Sequence, residues 1–304
     1  MPPANMDPDQ FSKLKKVGEL AAKALELGGK MVKPGASIFE IAETLEKKME
    51  EWGAKPSFPI NISINDIAAH YCPLLNDAIL IKETDYVKLD LGCQIDGWIS
   101  DAAKTFRPAG KDEIILCSEK MLETALPMFV PGTTLGEIGT AIENAAKEFG
   151  LKSIRNLTGH GIGRYNLHAG VYVPNVANPS TRALREGEVF ACEPFATNGA
   201  GWVKDCDPAT IFRWLADRPT RSAEGRKILE LGKNEFDKLP FAKRWIQKKV
   251  SAIKIEPALR ELISTEALWP YKILKEQAGG MVAQSEHTII VGEKSEVVTK
   301  TDVE

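Results

Sequence analysis

Four acidic residues stand inside segments that otherwise read as buried strands: Asp90, Asp101, Glu193 and Glu286. A carboxylate in such a place is costly unless a cation or a proton sits beside it. Asp90 interrupts the apolar run Tyr86–Leu91, and Asp96-Gly97 a few residues on is a pair that favours a two-residue hairpin turn. With that turn, Ile95 faces Trp98, Cys93 faces Ser100 and Gly92 faces Asp101. Asp90 and Asp101 then share one face, diagonally across the ladder. Two carboxylates converging there repel unless something positive lies between them. The alternative is that one acid caps a turn and the other is solvated.

The chain has only four histidines. His70 ends INDIAAH, His160 lies in NLTGHGIGRY, His168 in NLHAG, and His287 adjoins Glu286. Any one of these, or any one acid, has an ordinary structural reading. Four acids with at least one imidazole suit two moderately hard divalent ions such as manganese, iron or cobalt better than a structural zinc. Such a pair lowers the pKa of a water and polarises a carbonyl, so the chemistry implied is metal-assisted hydrolysis. The remaining histidines are then available to hydrogen-bond substrate and transition state.

Elements able to position these groups are legible. Phe11–Leu27 carries apolar residues at helical spacing, after an N-terminal stretch expected to be a short frayed arm. Ser37 and Glu40 form a capping-box pattern before a helix whose stripe is Ile38, Ile41, Leu45, Met49 and Trp52. The run Pro34–Lys55 recurs 97 residues later as Pro131–Lys152 with Pro-Gly entry, Gly exit and several glutamates in register. Capped amphipathic helices can resemble each other by chance, but each copy is followed by a histidine-bearing segment. The repeat predicts two related α+β halves with a site at their junction. A further helix is expected over about 113–129, and strands over Glu188–Ala196 and Gly280–Val291. Residues 209–269 change character: Trp214, Ile228, Leu229, Phe236, Leu239, Phe241, Trp245 and Leu259 at mostly helical spacing predict a helical insertion. Its Lys243, Arg244, Lys248 and Lys249 read as a solvated helix face, or alternatively as a contact for an anionic surface such as ribosomal RNA.

A hydrophobic content of 43%, charged residues at 27% and a net charge of −3 describe an ordinary soluble chain, with no global attraction to membrane or nucleic acid. No apolar run reaches the roughly 18 residues of a spanning helix, and no signal peptide is evident. Five scattered cysteines without a CxxC pair predict reduced thiols and a cytoplasmic location.

The segments NISINDIAAHY, YVKLDLG, DGWISD, NLTGH, YNLHAG, EPFATNGAG, LPFAKRW and EHTIIV resemble those of the creatinase/aminopeptidase family of "pita-bread" proteins. They are most similar to the short form of its type 2 methionine aminopeptidases, and the resemblance runs along essentially the whole chain. It implies an α+β pita-bread fold: two pseudo-symmetric α/β halves around a dinuclear metal site, formed by residues 1–208 and 270–304, with 209–269 as the insertion that distinguishes type 2. It implies two divalent ions (cobalt, manganese, iron or zinc) held by Asp90, Asp101, His160, Glu193 and Glu286, and attack by a bridging hydroxide on the carbonyl after an N-terminal methionine. Glu193 would carry the proton. His70 and His168 would contact substrate, and Phe58, Asn156, Leu157, Tyr271 and Leu274 would line the methionine pocket. Ser285 departs from the family, which has Phe there; on a strand it faces away from the ligands, so altered packing is expected, not lost ligation.

The implied activity is removal of the initiator methionine from nascent chains with a small second residue, by a monomer with at most a transient ribosome contact. Proline-specific relatives on the same fold are the second reading; with the first half starting near Phe11, there is no room for their usual N-terminal domain. A metal-free relative that binds RNA or protein is the third, and its mark would be a missing ligand. All five positions are filled here.

Overall fold

The computed structural model describes residues 2–300. Its first helix, α1 (Pro8–Met31), is longer at both ends than the periodicity alone predicts; it starts early because Asp7 caps it by accepting from the Asp9 and Gln10 N–H groups. The segment before it is not frayed as expected. Met6 is buried among Leu14, Val189 and Ile290, and the Ala4 N–H donates to Glu186 at 3.0 Å.

The two copies of the repeat form α2 (Ile38–Glu51) and α4 (Leu135–Glu148), each of 14 residues and each followed by a two-residue strand, Lys55–Pro56 and Lys152–Ser153. Thr134 and Glu137 make the complete reciprocal capping box; at the first copy the Ser37 hydroxyl accepts from the Glu40 N–H, the forward half of the motif. Between them, α3 (Glu113–Ala125) continues into a short 3₁₀ turn, Leu126–Met128.

A 10-stranded sheet joins the halves; its main path runs Tyr172–Pro174, Thr158–Gly161, Val189–Cys192, Val282–Ile290, Ala102–Phe106, Val87–Leu91, Asn61–Ile64. α1 and α2 cover one end, packing Val17, Ala21, Ile41 and Leu45 against Leu89 and Leu91. α3 and α4 cover the other, with Met121, Ile138 and Ile142 against Phe190 and Ile289. Each half therefore has its own apolar core, and the other face of the sheet is left for chemistry.

The predicted hairpin forms. Asp96 and Gly97 both have positive φ (52° and 81°), as a type I′ turn requires, and Ile95 pairs with Trp98. Gly92 is needed for closeness: a Cβ there would lie 2.1 Å from the Ser100 carbonyl oxygen. The expected strand Glu188–Ala196 is broken into Val189–Cys192 and Phe195–Thr197, because Pro194 has no N–H to give the ladder. Lys88, two residues from Asp90, is fully buried and donates to the Asn65 and Val282 carbonyls at 3.0 and 2.9 Å. It ties together the two strands that carry Asp90 and Glu286.

Residues 209–214, expected in the helical insertion, instead end a long strand, Val203–Trp214, that pairs antiparallel with Leu268–Glu276. The helices between them are α5 (Ala223–Glu230), α6 (Lys243–Gln247) and α7 (Ala252–Ser264), with a core of Phe212, Ile228, Phe241, Ile255 and Leu259. The basic residues here form the expected solvated face only in part: Lys248 and Lys249 are exposed. Lys243 pairs with Glu256, Lys248 with Glu43 and Lys249 with Glu235, while Arg244 is fully buried. No helix among the described residues is long and apolar enough to cross a membrane. The five cysteines are free thiols.

Candidate active site

Strand register assembles the acids. Asp90 and Glu286 both pair with Ala103, one from each side, so the three side chains lie in one row on the open face. Asp101, two residues before Ala103, falls on that face as well. The methyl group of Ala103 leaves the middle of the row free. The Asp101 backbone is fixed between strands: its N–H donates to the Thr288 hydroxyl, and that hydroxyl donates to its carbonyl, each at 2.7 Å. The other half supplies His160 from the strand Thr158–Gly161, and Glu193 from the break before Pro194. Asn175 pins that break by donating to the Glu193 carbonyl at 3.0 Å.

His160 Nε2 lies 3.4 Å from Asp101 Oδ2 and 3.5 Å from Glu193 Oε1. Asp101, His160 and Glu286, all buried, each offer a ligand atom within 4.8 Å of the others, a spacing that fits a metal ion. Asp90 Oδ1, Asp101 Oδ1 and Glu286 Oε1 are buried without a hydrogen-bond partner. Buried carboxylate oxygens that no donor satisfies suit a bound cation. Burial, reinforced by the neighbouring carboxylates, pushes Asp90, Glu193 and Glu286 well above the usual carboxylate range. A metal binding here must therefore displace protons. Four oxygen-donor residues and one imidazole fit moderately hard divalent ions.

Above the cluster a cavity is walled by Phe58, Leu167, Ile211, Pro240 and Tyr271, with His70 and His168 on its lining. His70 has a positive φ of 65°, a strained conformation held by its surroundings. Its Nδ1 bonds the Lys272 carbonyl at 3.0 Å, and because a carbonyl only accepts, Nδ1 carries the hydrogen. Burial holds His70 below its usual pKa, so it is neutral and Nε2 presents a lone pair. His168 lies 4.3 Å from His160, ring centre to ring centre, and stacks on Tyr271 at 6.0 Å. Burial, with His160, His70 and Arg213 close by, pushes its pKa down to about 2.

Thus the structure brings together Asp90, Asp101, His160, Glu193, Glu286, His70, His168, Phe58 and Tyr271 around one cavity. It does not put Asn156, Leu157 or Leu274 on the cavity wall. Asn156 instead exchanges hydrogen bonds with the Val203 backbone at 2.8 and 2.9 Å, while Leu157 and Leu274 pack behind with Ala69 and Phe195. Ser285 faces helix α3, where its hydroxyl meets that of Ser118 at 3.0 Å. Sequence reading missed Gln284, whose amide donates to Asp90 at 3.4 Å and Glu286 at 3.1 Å. Its place two residues before Glu286 on the same strand face was the available signal. It also missed Asn61, which pairs with Asp90, Ile211, from the end of the strand Val203–Trp214, and Pro240, from the insertion.

A two-half sheet with a buried carboxylate–histidine cluster at its centre is the build of a pita-bread metallopeptidase. The chain belongs to metallopeptidase family M24, which it matches over residues 12–293. It is 45% identical to a methionine aminopeptidase of Pyrococcus horikoshii, over 94% of this chain and 98% of that one. With a methionine aminopeptidase of Thermococcus onnurineus it shares 43% identity, covering 96% and 99% respectively. The crystal structure of a methionine aminopeptidase from Thermotoga maritima superposes with a TM-score of 0.72 at 23% identity, covering 97% of this chain and 98% of that one, a likeness of fold.

Proposed function

We infer that this chain is a metallo-aminopeptidase that removes the initiator methionine from polypeptides with a small second residue. The observation that carries this reading is near-full-length identity of 45% to a methionine aminopeptidase, in a chain whose buried cluster keeps every ligand-competent residue.

In this reading Asp90, Asp101, His160, Glu193 and Glu286 would hold two divalent ions, drawn from manganese, cobalt, iron or zinc. When bound, the ions supply an activated water and polarise the scissile carbonyl. The chain's own residues do the rest. Neutral His70 accepts the N–H of the scissile amide at Nε2 and so orients it. His168 donates to the carbonyl oxygen as negative charge develops there. Glu193 takes a proton from the attacking water and delivers it to the departing nitrogen, as the C–O bond forms and the C–N bond breaks. The side chain of the first residue lies against Phe58 and Tyr271, an apolar, partly aromatic slot that suits an unbranched thioether. The enzyme acts as a cytoplasmic monomer; the pairing of Lys243, Lys248 and Lys249 with acids lends no support to a ribosomal RNA contact through them.

The test compares Met-Ala-Ser with Ala-Pro-Ser as substrates of the metal-loaded protein. Release of methionine with no cleavage before proline is the expected result. Cleavage only before proline would place the chain with the proline-specific branch, and no cleavage of either would end the aminopeptidase reading.

A further inference from the structure

The segment LPFAKRW contains a residue that the chemistry above leaves without a role. Arg244 is fully buried although it sits on a five-residue helix of the insertion, and its guanidinium reaches across to the first half of the catalytic body. Nε donates to Glu43 Oε1 at 3.1 Å, Nη1 to Cys72 Sγ at 2.6 Å, and Nη2 to Glu46 Oε1. The adjoining Trp245 indole donates to Glu46 Oε2 at 2.8 Å, and Lys248 to Glu43 at 2.6 Å.

We propose that the Arg244–Glu46 pair is a lock that fixes the walls of the methionine pocket, making Arg244 a specificity-determining positioning residue. The proposal rests on the methionine aminopeptidase reading. Two of the groups the lock grips, Glu46 and Cys72, are tied to walls. Glu46 Oε1 also accepts the Ile60 N–H at 3.3 Å, two residues from Phe58. Cys72 is two residues after His70, and its N–H donates to Thr210 at 3.2 Å, beside Ile211. Pro240, on the wall, is four residues before Arg244, and Ala242 between them pairs with Ile211. Segments far apart in sequence, around Phe58, around His70, and around Ile211 and Pro240, thereby meet at one planar cation.

Stability alone is a poor reason for this arrangement. A buried ion pair is often no better than apolar residues of the same volume, and Cys72, Ile211, Ala242 and Trp245 already make an apolar contact there. What a guanidinium adds is direction: its fork sets three acceptors at fixed angles, which a lysine ammonium cannot do.

The test measures kcat/KM for Met-Ala-Ser and Leu-Ala-Ser with wild type, Arg244→Lys and Arg244→Met, all metal-loaded. The ratio between the two peptides is expected to fall about 10-fold in both variants, because displaced walls cease to tell the side chains apart. Metal content stays at the wild-type level. If Arg244 only holds the fold together, its variants lose active molecules, both peptides suffer equally and the ratio does not move; that result overturns the proposal. Trp245→Phe, which deletes the indole donor to Glu46 without changing charge, provides a milder arm, with an expected fall of about 3-fold. Should neither Arg244 variant fold, an unchanged ratio in Trp245→Phe overturns the proposal by itself. Failure of the underlying reading shows separately, as a wild type that does not release methionine.

Discussion

Glu286→Gln, and equally Asp101→Asn, is expected to lower methionine release on the order of 10³-fold or more while the protein stays folded. Each change keeps the size of the side chain and removes one negative charge from the cluster. Both residues offer a buried oxygen that has no hydrogen-bond partner, so nothing within the fold depends on that oxygen being a carboxylate. The metal does. The variants should therefore melt, when metal-free, no lower than the metal-free wild type. Indeed, burial and like charges already raise the Glu286 pKa well above normal, so ionising this carboxyl costs the metal-free fold stability as pH rises above its unfolded value near 4.3. An amide removes that cost. Thermal melts and turnover, measured on stripped and remetallated protein, check both halves of the expectation. Near-wild-type turnover in either variant would contradict a dinuclear centre at these residues.

His168→Ala is expected to reduce kcat by roughly 10² to 10³-fold with metal content unchanged, the loss typical of one donor to a developing oxyanion. His168 stacks on Tyr271 and lies against the His160 ring, on the cavity lining. With its pKa pushed down to about 2, the His168 imidazole is neutral across the working range, and burial holds His70 below its usual value. A buried base of this kind stays uncharged as pH falls through 6.5. The rate profile should thus show no limb near 6.5 that disappears in the His168 or His70 variants. Metal lost along with activity would instead make His168 a ligand.

How far the sequence could reach depended on whether a feature was local. The Asp96-Gly97 turn fixes the hairpin register through backbone conformation alone, and that register puts Asp90 and Asp101 on one face. The repeat was legible because capping residues and apolar stripes act over a single helix, and α2 and α4 do match in length and in the strand that follows. The acids were conspicuous because apolar strands seldom contain them. Illegible were contacts joining distant segments. Arg244 read as one more basic residue on a solvated helix, since its partners Glu43, Glu46 and Cys72 lie more than 170 positions away. Pro240 and Ile211 reach the cavity through a pairing between distant segments, Ile211 lying opposite Ala242 on the neighbouring strand. Asn156 suggested a pocket wall by its place in NLTGH, but its amide is taken up by the Val203 backbone.

The most direct test of the central claim is a metal titration of stripped protein, following methionine release from Met-Ala-Ser as manganese is added. No release is expected without metal, then activity that rises with metal uptake to saturation, with protons released as the carboxylates ionise. Full activity in protein shown to be metal-free would contradict the account outright.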